Sequence, residues 1–116
     1  MRSNPSAETG SAPNGASVHP AGMCTGAGHM VVYGNPAFVA AFGAASVGLP
    51  AREVMLALSS DGFAVMDAVV TRGRPAARWV RLSGEEWRLT VAPTVDPGTA
   101  EVYGMRFHLR PREASA

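Results

Sequence analysis

From Pro75 to Leu109 the pattern of this chain shifts to a period of two, with Val80 and Leu82, then Trp87, Leu89 and Val91, then Met105, Phe107 and Leu109 at alternate positions, the period of a strand with one buried face. The runs "AARWVRL" and "WRLTVAPTV" flank "SGEE", and "EVYGMRFHL" follows "DPGT". Turn residues between alternating runs predict three antiparallel strands joined by tight connections. Upstream, "GMCT" and "HMVVY" are short apolar runs separated by "GAG", which reads as a hairpin. Between these two blocks the spacing becomes helical. "NPAFVAAF" ends on Gly43, and "SVGLPAREVMLAL" holds a helix starting near Pro50. "SSDGFAVMDAVVTRG" holds a third, with Ser60 or Asp61 as its cap, Gly73 as its stop, and Phe63, Met66, Val69 and Val70 on its buried side. Two strands, a helical middle and three further strands predict an α+β domain. Its core element is one five-stranded antiparallel sheet with the helices packed on one face.

The length of 116 residues holds one such domain. Residues 1–21 carry Val18 as their only bulky apolar residue after Met1, too little to offset the entropy of ordering, so a disordered tail is expected there. The domain is then residues 22–110, with a short second tail over 111–116. A formal net charge of +1 gives no general pull toward nucleic acid or a membrane surface. The ten basic residues are all arginine, so local guanidinium patches still matter. Cys24 is the only cysteine, which rules out an intrachain disulfide and a cysteine zinc site. No metal site is expected. A lone thiol fits a reducing compartment. No apolar run approaches the ~20 residues that cross a bilayer, and the first residues lack a charged-then-apolar signal layout. These features predict a soluble, cytoplasmic protein.

One corner is written out in "VVYGNPAFVAAFG". The Asn35 side chain suits a helix N-cap, and Pro36 suits the first helical position, where its missing N–H leaves no donor orphaned. Pro36 also disfavours helical angles at Asn35, which sharpens the boundary. Phe38 and Phe42 lie four apart and share a face, and Gly43 suits the helix stop. Asn35 and Pro36 are therefore expected to be structural.

The ordered set of "MVVYGNPAFVAAFG", "SVGLP", "VVTRGRP" and "EWRLTVAPTVDPGTAEVYGMRF" resembles the PAS domain family over residues 22–110. The resemblance implies a PAS-like sensory or signal-transduction domain. It departs at its end, where "HLRPRE" replaces the family's acidic exit sequence. Members of the family hold haem, flavin or a small metabolite between sheet and helices, or fill that space with side chains. The light-sensing flavin branch needs a cysteine near the third helix, and Cys24 lies on the first strand. Haem-binding members commonly supply a histidine from the helix before the long hairpin, and "FAVMDAVVTR" has none; His19 lies in the tail, and His29 and His108 on expected strands. Both cofactors are disfavoured. A small apolar ligand would meet Val32, Phe38, Phe42, Met55, Phe63, Met66, Leu89, Val91, Met105 and Phe107, the same residues that a plainly filled core would use.

No nucleophile–base pair, carboxylate pair or phosphate loop is visible, so an enzyme is not expected. The final hairpins suggest a contact surface. With Leu82 opposite Trp87 across "SGEE", Val80 meets Leu89, Trp79 meets Thr90, and Arg81 meets Arg88. Trp79, Arg81, Arg88, Arg106 and His108 then share the open side of the sheet. This face is expected to bind an acidic partner, a second copy in a homodimer, a separate signalling protein, or the chain's own N-terminal segment. A ligand-free interaction or dimerisation module is the alternative to a small-ligand sensor.

Overall fold

The computed structural model describes residues 18–112. A five-stranded antiparallel sheet runs in the order β2-β1-β5-β4-β3. Its strands are β1 (Ala21–Thr25), β2 (Met30–Gly34), β3 (Ala76–Leu82), β4 (Glu85–Val95) and β5 (Val102–Pro111). Three helices, α1 (Pro36–Phe42), α2 (Ala51–Val54) and α3 (Ser60–Arg72), and one 3-10 turn at Ala44–Ser46 fill the chain between β2 and β3. The expected architecture stands. The domain edges are one residue wider than expected: Ala21 already opens β1, and Pro111 still pairs with Trp87 in β5. The tails expected over 1–21 and 111–116 fall otherwise almost wholly outside the described residues.

The last three strands form two consecutive hairpins. Ser83 and Gly84 both take positive φ, 54° and 83°, the pair of left-handed angles that a two-residue hairpin turn requires. The turn is therefore Ser83-Gly84, not the four residues "SGEE", and Leu82 lies opposite Glu85. This moves the register by two residues. Faces are preserved, but Arg81 meets Glu86 instead of Arg88, and Arg88 meets Trp79. The tighter turn matches strand twist and avoids setting two guanidinium groups opposite each other at this pair.

α3 covers β3, β4 and β5 with Phe63, Met66 and Val69, and stops where Gly73 takes left-handed angles and returns its N–H to the Val69 carbonyl. Its N-cap position is Ser59, one residue earlier than expected. The Ser59 hydroxyl is engaged elsewhere, accepting the Arg81 N–H at 3.2 Å, so the α3 start is tied to the β3 edge. α2 is a single turn, much shorter than its apolar pattern suggests, because Met55 leaves helical angles (φ −98°, ψ 61°) and drops fully buried into the core.

The β2–α1 corner is built as expected. Asn35 is fully buried. Its Oδ1 accepts from the Phe38 N–H at 2.9 Å and from the Ala21 N–H at 3.0 Å, and its Nδ2 donates to the His19 carbonyl at 3.0 Å. One amide thus caps α1 and holds the start of β1. Phe38 packs at 4.8 Å from the Phe42 ring and 5.6 Å, edge to face, from Phe107. Glycine makes this possible. A Cβ at Gly34 would lie 2.3 Å from the Phe38 ring, and one at Gly22 would lie 2.6 Å from the Tyr33 carbonyl and 3.0 Å from the Phe107 ring.

Candidate functional site

The space between sheet and helices was the first candidate. Phe38, Met55, Phe63, Met66, Leu89, Val91, Met105 and Phe107 are all buried there and belong to one packed cluster. Phe42 packs against its rim and is only partly buried. Val32 does not belong to it, and this overturns its placement in the interior. The β1–β2 register slips between Met23 and Cys24, so Met23 faces Tyr33 and Cys24 faces Val31. Val32 is the extra residue of that bulge; it turns outward, 52% exposed, and Val31 takes the inward position.

One inner feature bears on chemistry. Cys24 is buried on β1 opposite Met105, and burial pushes its thiol up to about 12, so it stays protonated and unreactive at neutral pH. Among the described residues, five surface hollows border the cluster, each through one of its members. One of about 270 Å³ sits between α1 and the β3–β4 turn, lined by Phe42, Leu82 and Trp87 among others. Among the described residues no group of three metal-ligating side chains occurs.

A polar cluster absent from the sequence reading joins three elements. His29 is not on a strand; it closes the β1–β2 turn at φ 53° and is 2% exposed. Its Nε2 lies 2.6 Å from Asp67 Oδ1 on α3, and Asp67 Oδ2 accepts from Arg52 on α2 at 3.3 Å. A carboxylate can only accept, so Nε2 carries the proton, and Nδ1 is left buried without a partner. The Arg52 guanidinium also lies 4.8 Å above the Phe63 ring. With its second nitrogen buried and its first bonded to Asp67, the imidazole clamps the turn to the helices. Asp67 lies four residues after Phe63 on the border of the buried face, and a charge there is the one local signal of a partner.

The opposite side of the sheet bears no helix among the described residues, and its side chains form cross-strand rows. Arg81, Glu86 and Arg112 make the first, with Arg112 ion-paired to Glu86. Trp79, Arg88 and Arg110 make the second. Ala77, Thr90, His108 and Ala21 follow, and then Ala92, Arg106, Met23 and Tyr33. Trp79, 45% exposed, has the Arg88 guanidinium 5.5 Å and that of Arg112 5.4 Å from its ring centre. The residues expected to share this face therefore do so, with Arg88 and Arg110 as the like-charged pair set opposite each other. Burial first, then Arg110 and then His19, hold the His108 imidazole below its ordinary value, so it is neutral at pH 7. A shallow hollow of about 190 Å³ lies between the second and fourth rows, lined by Thr90, Ala92, Arg106 and His108. Tyr103 on β5 is half exposed.

This sheet order, with helices on one face only, can be compared with solved structures. A sensory box sensor histidine kinase from Vibrio cholerae superposes with a TM-score of 0.68 at 12% identity, over 86% of this chain and 82% of that one. The PAS domain of nitrogen regulation protein NR(II) from Vibrio parahaemolyticus gives 0.64 at 16% identity, over 84% and 93%. The fold is PAS-like. The light-state dimer of the fungal blue-light photoreceptor Vivid also matches, with a TM-score of 0.64 at 18% identity over 91% and 84%. No family model matches the sequence, and no curated protein matches it. At identities this low the likeness is one of fold. Within that PAS-like fold the outer sheet face carries Arg88, Arg106 and Arg110 with no carboxylate paired to them among the described residues, and the inner face carries the packed core. No helix among the described residues is long and apolar enough to cross a membrane.

Proposed function

We propose that this PAS-like domain is a non-catalytic signal-transduction module that acts in the cytoplasm by docking another polypeptide on the outer face of its sheet. One observation carries the reading. Arg88, Arg106 and Arg110 stand on an open face with no carboxylate among the described residues paired to them, around a half-exposed tryptophan. Tryptophan and arginine are the residues that most often dominate binding energy at interfaces. The fully buried side chains of the inner cluster support a core filled by the chain itself. A buried single thiol supports a reducing compartment. The partner is a separate signalling protein or a second copy.

One feature favours a second reading, a sensor of a small apolar ligand: the hollow beside Phe42 and Trp87, open at the rim of the core. Native mass spectrometry of the purified full chain, with its absorption spectrum, separates the two. The expected result is the polypeptide mass alone, as monomer or dimer, with no visible absorption. A co-purifying small mass or a coloured cofactor would sink the filled-core reading.

A further inference from the structure

The rows of the outer face have a geometry that selects among polypeptides. Arg106 and Arg110 lie four residues apart on β5, so their side chains leave the same face about 13 Å apart. Arg88 joins Arg110 at one end of this span, and the hollow floored by Thr90, Ala92 and His108 lies between the two ends. From this arrangement we propose, resting on the outer-face reading above, that the surface binds an extended acidic segment of a separate protein. Its pattern is acidic–x–small apolar–x–acidic, laid along β5. In an extended chain residues i, i+2 and i+4 face one way at the same repeat as the rows beneath them. One carboxylate seats between Arg88 and Arg110, the second on Arg106, and the small apolar side chain enters the hollow at Thr90 and His108.

Charge explains why the occupant is acidic. Arg88 and Arg110 are directly opposite, an arrangement that destabilises a strand pair until an anion lies between them. The planar guanidinium fork matches a carboxylate bidentately. Glu86 is ion-paired to Arg112 and offsets one of the two guanidinium groups of the first row, whereas Arg88, Arg110 and Arg106 of the second and fourth rows have no carboxylate paired to them among the described residues. The same excess of positive charge disfavours a second copy on this face. A two-fold axis through Thr90 and His108 would set Arg88 and Arg110 of one protomer against Arg106 of the other. Single-stranded nucleic acid is also anionic, but it binds such sheets by stacking bases on open aromatic faces. The Trp79 ring is already flanked by Arg88 and Arg112.

The test uses the full chain and a fluorescein-labelled peptide containing Glu-Thr-Val-Thr-Glu, read by anisotropy at low and physiological salt. Binding is expected to weaken with salt and to fall by about tenfold or more with Arg88→Glu plus Arg110→Glu. Arg106→Glu, an exposed position, gives an independent variant, and thermal melts check that each variant folds. In amide NMR spectra of the unaltered protein the peptide is expected to shift Thr90, Ala92 and His108. Equal binding of a Gln-for-Glu peptide, or no binding, overturns the acidic pattern. Tighter binding of a single-stranded oligothymidine overturns it in favour of nucleic acid. Shifts on the outer face with the Gln peptide leave the docking surface standing while refuting its acidic occupant. Shifts confined to α1 and the β3–β4 turn refute both.

Discussion

Replacing Asn35 by alanine removes a single amide and should cost far more than a surface cap. The side chain is fully buried, and its Oδ1 serves two backbone donors, Phe38 N–H at 2.9 Å and Ala21 N–H at 3.0 Å, both buried. Each orphaned buried donor costs about 1–3 kcal/mol, so the expected loss is about 3 kcal/mol. For a domain this size that is a fall of about 12–24 °C in Tm. Serine in the same place separates the contributions. Its hydroxyl can still cap α1 through Phe38, worth about 1 kcal/mol, but is too short to reach Ala21 and His19 as well. The expected stability order is Asn, then Ser, then Ala. Urea denaturation followed by tryptophan fluorescence and far-ultraviolet circular dichroism measures it. A loss under about 1 kcal/mol for Asn35→Ala, or equal losses for Ser and Ala, would refute the view that one side chain holds both the helix and the strand.

Two further outcomes follow from titrating groups. Cys24, held protonated at neutral pH with its thiol pushed up to about 12, is expected to resist iodoacetamide in the folded protein and to label readily in urea; labelling of the folded chain at the rate of a free thiol would contradict its burial. His108 is held below its ordinary value of 6.5, so the unfolded chain takes up its proton first. Stability from this group is full above pH 6.5 and is lost as pH falls from 6.5 toward the lower folded value, and His108→Gln should flatten that part of a Tm-against-pH curve.

The order of elements, the helix stop at Gly73 and the Asn35–Pro36 corner were legible because each depends on local chemistry: period, cap and left-handed angles. The outward set on the last strands was legible for the same reason, since a two-residue change of register preserves faces. Its neighbours were not. Whether Arg88 meets Arg81 or Trp79 depends on Ser83 and Gly84 together adopting positive φ, and "SGEE" equally permits a longer turn. Val32 was misplaced because alternation cannot reveal a bulge set by pairing with another strand. The His29–Asp67 contact joins residues 38 positions apart, and no spacing rule within either segment encodes it. Met55 left its helix for a vacancy in the core that exists only once the sheet is present.

The strand order places the first and last strands side by side in the middle of the sheet, joined down to the bond from Leu109 N–H to the Pro20 carbonyl. The pairings on the β3 side are hairpins that close short loops. The β1–β5 seam instead closes a loop of almost the whole domain, and loop entropy makes that the costliest contact to form. As the chain leaves a ribosome, the β1–β2 hairpin emerges first and must wait, with one flank unpaired, until β5 has been made. The middle of the finished sheet is the last part of it to exist.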